Sequence, residues 1–239
     1  DKISTSKFLF FATEKGVVKK VKLEEFKNVR RSGLIAIKIK DDDKLIWAKP
    51  TGGGDHILLV TAQGQSIRFK ETDVRDMGRG ASGVRGIRLK KQNDAVVGMG
   101  VIKSDKEKLK KYQLLTIMEQ GFGKRSKLDY YKIQGRGGSG IKTAKVTSKT
   151  GRLTNAFIVN IETMAEKDLI IISEKGQVIR LPLKSVSELG RDTLGGATLA
   201  LGSVLHQFGT GAYDGVVVTA CWGCDNGLIA ESLVRHHQE

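Results

Sequence analysis

Four glycines in this sequence, Gly16, Gly64, Gly121 and Gly176, are each followed four residues later by a cation: Lys20, Arg68, Arg125 and Arg180. Ammonium and guanidinium groups repeated at one phase supply point charges and forked donors, which is chemistry for a polyanion rather than for a bond-making step. A second glycine follows each pivot after 17 to 19 residues, at Gly33, Gly83, Gly140 and Gly195. Three of these close the pattern Gly-Arg-x-x-x-Gly (Gly78-Arg79 to Gly83, Gly135-Arg136 to Gly140, Gly190-Arg191 to Gly195), and Arg30-Arg31-Ser32-Gly33 stands in the first. An arginine among glycines is expected to leave backbone N–H groups open to a phosphate. Two of the loops also satisfy G-x-G-x-x-G. A dinucleotide site needs a helix starting at those glycines, however, and Val84 to Lys90 alternates like a strand, so the glycines are expected to serve tight turns.

Other chemistry is sparse. Cys221-Trp222-Gly223-Cys224 is a lone C-x-x-C, and the adjacent His236 and His237 lack the spacing of a zinc pair, so no metal is expected and the cysteines read as free thiols. His56 is the only histidine within the repeats and has no acid or nucleophile in motif spacing, which argues against catalysis. No cofactor is expected in this chain.

The elements that must carry the cations are strands. Ile57 to Val60 and Leu169 to Ile172 are apolar runs of strands buried on both faces. After the pivot, Ile67 and Phe69 alternate with Arg68 and Lys70. After the second glycine, Ile35, Ile37 and Ile39 alternate with Lys38 and Lys40, and Ile87 and Leu89 with Arg88 and Lys90. Period-two alternation predicts that these cations gather on one face of each sheet. Units recurring at spacings of 48, 57 and 55 residues predict an all-β array of four-stranded blades, with four visible repeats starting near 7, 55, 112 and 167. The lysine-dense stretch 103 to 111 reads as an exposed loop.

Charge divides the chain in two. Of 239 residues, 41 are Lys or Arg and 26 Asp or Glu, for a net charge of +15. Residues 194 to 239 hold one of those cations and four of the acids, so residues 1 to 193 carry +18. A net charge of about 2–8 in magnitude keeps a small domain soluble, and the excess calls for an anionic partner. Aromatic residues are 6% of the chain and do not interleave with the cations, which disfavours single-strand stacking platforms and leaves duplex phosphates. No apolar run approaches a bilayer span, no secretory signal is visible at the start, and two cysteines suit a reducing cytoplasm. The segment 194 to 239 reads as a divergent tail.

Several stretches resemble one family. Phe11 to Lys20, Arg68 to Glu71, Val74 to Gly78 with Gly83 to Leu89, and Gly121 to Arg125 are similar to blade sequences of the C-terminal domain of the DNA gyrase A protein, with topoisomerase IV a close relative. The resemblance covers about residues 5 to 193. It implies a β-pinwheel, a propeller-like array, with duplex DNA bent around a basic outer rim. It also implies an A2B2 holoenzyme whose N-terminal gyrase A domains and gyrase B protein use the catalytic tyrosine, ATP and Mg²⁺ outside this chain, and a bacterial, cytoplasmic, nucleoid-associated setting without a membrane. The family's hallmark heptad, Gln-Arg-Arg-Gly-Gly-Lys-Gly, has its nearest counterpart in Gln134, Gly135, Arg136, Gly137, Gly138, Ser139 and Gly140, in the third repeat and with two cations lost. Against the six blades usual in the family, the four visible repeats lead to the expectation of an incomplete array. The cations expected to meet DNA are Lys20, Arg30, Arg31, Lys38, Arg68, Lys70, Arg79, Arg85, Arg88, Lys90, Arg125, Arg136, Lys142, Lys145, Arg180 and Arg191. The alternatives are a topoisomerase IV domain acting as a DNA anchor, or a basic scaffold for acidic proteins.

Overall fold

The computed structural model describes residues 6–28, 31, 33–40, 42–173, 178–193 and 216–217. Arg30, Gly176, Gly195 and both cysteines lie outside the described residues. Each described pivot glycine sits in a hairpin. Gly16, Gly64 and Gly121 have φ of +82°, +77° and +73°, and each donates its N–H to the carbonyl three residues before it, at 2.9–3.1 Å. A positive φ is strained for any residue with a Cβ, so the turn requires glycine.

The described residues form two compact units. The first comprises Asp1–Leu109 and Tyr131–Ile141. It holds β1 (Phe8–Thr13), β2 (Val17–Lys22), β3 (Leu45–Thr51), β4 (His56–Thr61), β5 (Gln65–Lys70), β6 (Val84–Arg85), β7 (Val96–Ile102) and a one-turn helix α1 (Lys106–Leu109). One sheet runs β3-β1-β2-β6 with Phe10 opposite Lys20; the other runs β5-β4-β7 with Leu58 opposite Arg68. The outer strand on β5 begins at Ile141, the last residue of this unit. All six residues of β4 are buried, as its uninterrupted apolar run requires. Phe10 and Phe69 meet at a centroid distance of 6.5 Å, so the two sheets share one core. Burying an aromatic or aliphatic side chain of this size contributes about 1.5–3 kcal/mol.

The second unit comprises Lys110–Tyr130 and Lys142–Glu239. Following β8 (Tyr112–Met118) and β9 (Gly123–Lys127), the chain enters β10 (Ile141–Lys142), then β11 (Leu153–Asn160), β12 (Asp168–Ser173), β13 (Val178–Pro182) and β14 (Val216–Val217). Its sheets run β11-β8-β9 and β13-β12-β14. Leu115, Ile117, Val159, Leu169, Ile171, Leu181, Leu183 and Val186 form its core. From the tail, Val216 and Val217 pair with Ser173 and Ile172, the place that β11 takes beside β8; the remainder of the tail lies outside the described residues.

Two expectations are corrected here. Among the described residues the segments after the second glycine are mostly unladdered, and there only Val84–Arg85 and Ile141–Lys142 pair with a neighbouring strand. The lysine-dense stretch is exposed as expected but contains α1. Its turn starts at Asp105, whose Oδ1 accepts the Glu107 N–H at 2.9 Å as an N-cap.

Candidate nucleic-acid interface

The phased cations divide by burial. Lys20 and Arg68 are 6% exposed and Arg125 8% exposed, against the expectation that Arg68 and Lys70 share an open face. The reason is a repeated joint. At each of these cations the strand makes a parallel bridge to a later segment, Lys20 to Asp76, Arg68 to Ile133 and Arg125 to Glu188. The next residue of that segment donates its N–H back to the cation's carbonyl: Met77 to Lys20 at 2.9 Å, Gln134 to Arg68 at 2.7 Å and Leu189 to Arg125 at 2.8 Å. The side chains then cap a 3-10 turn of the same segment. Lys20 Nζ reaches the Glu71 carbonyl at 3.5 Å, Arg68 donates to Tyr131 O at 3.2 Å, and Arg125 Nε donates to Val186 O at 2.6 Å. Each cation thereby meets a backbone carbonyl of the segment that its strand bridges, a charge-assisted contact.

A second partner stands twelve residues before each cation. Lys20 lies 4.9 Å from the Phe8 ring centroid, Arg68 is 2.9 Å from His56 Nδ1, and Arg125 donates to Gln113 Oε1 at 2.7 Å. Burial, reinforced by the Arg68 charge, holds the His56 pKa below its ordinary value. A guanidinium only donates, so His56 Nδ1 is the acceptor in this pair. Arg180 has its counterpart in Asp168, at 2.6 Å, but its side chain is 74% exposed.

The residue before the phased cation supports the Gly-Arg loop. Lys19 Nζ donates to the carbonyls of Ala36 (2.9 Å) and Arg79. Lys124 Nζ donates to Gly190, Arg191 and Thr193 at 2.9, 2.7 and 3.1 Å, and burial pushes its pKa down to about 8. In the intervening repeat Ile67 takes this place, 3.5 Å from where a Gly138 Cβ would stand. The loop arginines turn onto backbone as well: Arg136 donates to Asp73 O (2.9 Å) and Arg85 O (3.2 Å), and Arg191 to Lys142 O. The loop N–H groups expected to face a phosphate are partly engaged, since Arg79 N donates to Glu25 Oε2 at 3.1 Å and Gly137 N to Gly86 O at 2.7 Å. Gly83 shows why glycine closes the loop. Its φ is +89°, and a Cβ there would stand 2.5 Å from Val18 O.

The open charge lies elsewhere at the same periodicity. Lys38, Arg88 and Lys145, five residues after the second glycine, are all exposed. So are Lys27, Arg75 and Lys132, eleven residues after the pivot, which the reading of the sequence passed over although a continued phase count finds them. None of the six makes an ion pair among the described residues. A third series, Lys22, Lys70 and Lys127, is exposed but partly neutralised: Lys22 faces Asp76 at 3.6 Å and Lys127 faces Glu188 at 3.4 Å. Arg31, Arg85, Lys90 and Lys142 are exposed, while Arg79 and Arg191 are half-buried. In the first unit Arg88 N donates to Gly138 O at 2.8 Å, which brings Arg85, Arg88 and Arg136 together around the loop 134–140. No group of three potential metal ligands and no helix long and apolar enough to span a membrane occurs among the described residues.

Comparison with known proteins agrees with this repeat structure. The family model described as DNA gyrase C-terminal domain, beta-propeller, matches residues 7–51, 55–103, 113–160 and 167–195, one block for each repeat. The DNA gyrase A protein of Lawsonia intracellularis (strain PHE/MN1-00) is 38% identical over 218 residues, covering 91% of this chain and 26% of that protein. Its counterpart from Staphylococcus epidermidis (strain ATCC 12228 / FDA PCI 1200) is 40% identical over 200 residues, covering 83% of this chain and 21% of that protein. The chain thus spans about a quarter of the length of these relatives. Among solved structures, a DNA topoisomerase IV C-terminal domain superposes with a TM-score of 0.71 at 24% identity, covering 81% of this chain and 57% of that one. A DNA gyrase A C-terminal domain superposes with a TM-score of 0.66 at 26% identity, covering 79% and 60%.

Proposed function

Since the chain belongs to the DNA gyrase A C-terminal domain family, with the all-β propeller fold of that family, we propose that it binds duplex DNA without sequence preference and bends it along its exposed cations. In this reading it serves a type IIA topoisomerase in the bacterial cytoplasm, as the DNA-wrapping part of a gyrase A protein that supports ATP-dependent negative supercoiling. The catalytic tyrosine, ATP and Mg²⁺ belong to other parts of an A2B2 assembly with the gyrase B protein.

One observation carries the proposal: Lys38, Arg88 and Lys145 recur at one phase, exposed and without carboxylate partners among the described residues. A salt-bridged surface would gain little from a polyanion, whereas unpaired cations release condensed counterions when they meet phosphates. Among the described residues no recognition helix and no stacked aromatics accompany these cations, which favours backbone contact over base readout. Smoothly bending 20–30 bp through 40–90° costs roughly 1–6 kcal/mol, which further phosphate contacts along the bent path can offset.

The test is topological. Closed circular DNA is bound by the chain, relaxed by a separate topoisomerase without ATP, and deproteinised. A linking-number change of one sign, positive by analogy with gyrase, supports wrapping. Tight binding with no linking change leaves the second reading, a topoisomerase IV type of DNA anchor, which the loss of two cations from the heptad-like loop favours.

A further inference from the structure

The partners that stand twelve residues before the phased cations differ in one chemical respect. Phe8 has no proton to gain or lose, Gln113 stays neutral, and Asp168 is a carboxylate. Of the four, only a histidine side chain ordinarily changes charge between about pH 5 and pH 8. His56 and Arg68 are both buried. A His56 Nδ1 that accepts from the Arg68 guanidinium at 2.9 Å carries no hydrogen of its own. Adding one turns the acceptor into a donor that faces a cation, and this hydrogen bond is lost.

The other charges around the ring do not reverse this. Burial, Arg68 and Lys70 oppose a charged imidazole, and Asp55 and Asp73 favour one more weakly. Asp55 is already engaged, its Oδ2 accepting the Gly52 N–H at 2.8 Å and Lys103 Nζ at 3.0 Å. On β7 the residue opposite His56 is Ile102. What the pair supports is the start of the loop 134–140. Arg68 donates to Tyr131 O at 3.2 Å, bridges Ile133 and accepts the Gln134 N–H at 2.7 Å. Beyond Gln134 the loop exchanges hydrogen bonds with the arginine-bearing segment after Gly83, Gly137 N donating to Gly86 O and Arg88 N to Gly138 O. All of these residues belong to the first unit.

We propose that His56 is a positioning residue that acts through Arg68: as a neutral acceptor it holds the joint that seats the loop 134–140, and on taking a proton it opens that joint while those at Lys20 and Arg125 stay closed. The opening does not depend on what the loop binds. Its effect on a DNA path rests on the proposed function.

Amide hydrogen exchange followed by NMR, corrected for the intrinsic pH dependence of exchange, reads each joint through one N–H: Gln134 at Arg68, with Met77 at Lys20 and Leu189 at Arg125 as internal controls. In the open joint the imidazole titrates at its ordinary 6.5 and in the closed joint lower, so between those values the open form holds a proton that the closed form lacks. Protection of Gln134 should therefore fall relative to both controls, by up to about tenfold per pH unit, as the pH is lowered from 6.5 to about 5. His56→Gln supplies Arg68 with the acceptor that Gln113 gives Arg125 at 2.7 Å, and should keep the ratio of the three amides level across the range. The other three histidines titrate in both proteins and cancel in the comparison. Protection of Gln134 that stays level in the wild type, falls equally at all three amides, or falls equally in His56→Gln overturns the proposal. End-to-end energy transfer on a bound linear duplex tests the DNA path. A bend that changes with acid in the wild type and not in His56→Gln supports it, and a bend that holds steady while Gln134 opens overturns it. An absent bend at every pH counts against the proposed function alone, since the amides decide the joint.

Discussion

If the exposed series and not the buried cations meets DNA, replacing Lys38, Arg88 and Lys145 together by Gln removes three phosphate contacts. Each contact contributes about 0.9 to the slope of log affinity against log salt, so the slope should fall by about 2.7. Between 50 and 200 mM salt that amounts to roughly 40-fold less loss of affinity than the wild type suffers. All three side chains are exposed and without ion pairs among the described residues, so the thermal midpoint should not move. Fluorescence anisotropy with random-sequence duplexes across a salt series measures the slope, and thermal denaturation checks the fold. Lys27, Arg75 and Lys132 replaced in the same way should lower the slope by a similar amount. A triple variant with the wild-type slope and midpoint would put the DNA path elsewhere and sink the argument.

Arg125→Gln should have the opposite profile: stranding the Val186 and Lys184 carbonyls costs about 2–4 kcal/mol of stability in denaturant titrations. At temperatures where the variant stays folded, its salt slope should match wild type; a lowered slope at full stability would return Arg125 to the interface. Lys124 makes a pH-dependent case, since burial holds its pKa near 8 instead of 10.5. Between those values the unfolded chain keeps a proton that the folded chain has released, so this group adds stability as pH rises through the window. The stability of wild type relative to Lys124→Met should therefore be level below pH 8 and climb up to pH 10.5, and a difference level throughout would refute the assignment.

The hairpins, the glycine phases and the concentration of charge in residues 1 to 193 were legible in the sequence because each is a local property. Gly16 and Gly64 announce turns that only glycine makes, and Ile57 to Val60 announces a strand covered on both faces. The fate of Arg68 was not legible. Alternation places it opposite Ile67 and Phe69, but whether that second face is open depends on the segment at Ile133, which the strand's own sequence does not contain. Lys19 and Lys124 defeated the rule that lysines stay outside, because carbonyls from a loop some 60 residues away receive their ammonium groups. One signal was available: the residue twelve before each phased cation is Phe8, His56, Gln113 or Asp168, each able to receive a cation. In the structure those partners receive Lys20, Arg68, Arg125 and Arg180, whereas Lys38, Arg88 and Lys145 make no ion pair among the described residues.

The division of the cations has a mechanical consequence. Removing an exposed lysine changes the field at the surface and leaves the backbone in place, whereas removing Arg68 or Arg125 loosens the parallel bridge that fixes where the following Gly-Arg loop begins. Gln134, the first residue of the heptad-like loop, is held by its N–H bond to the Arg68 carbonyl, and the loop then rests on Gly86 through Gly137. The buried cation thus helps to determine where Arg88 and Arg136 stand, while under the proposed function those residues and their exposed neighbours would set how strongly a phosphate is held there. Under the proposed function, affinity and path should therefore change independently: weakening a joint would redirect bound DNA at nearly constant charge, and deleting an exposed cation would lower affinity along an unchanged path.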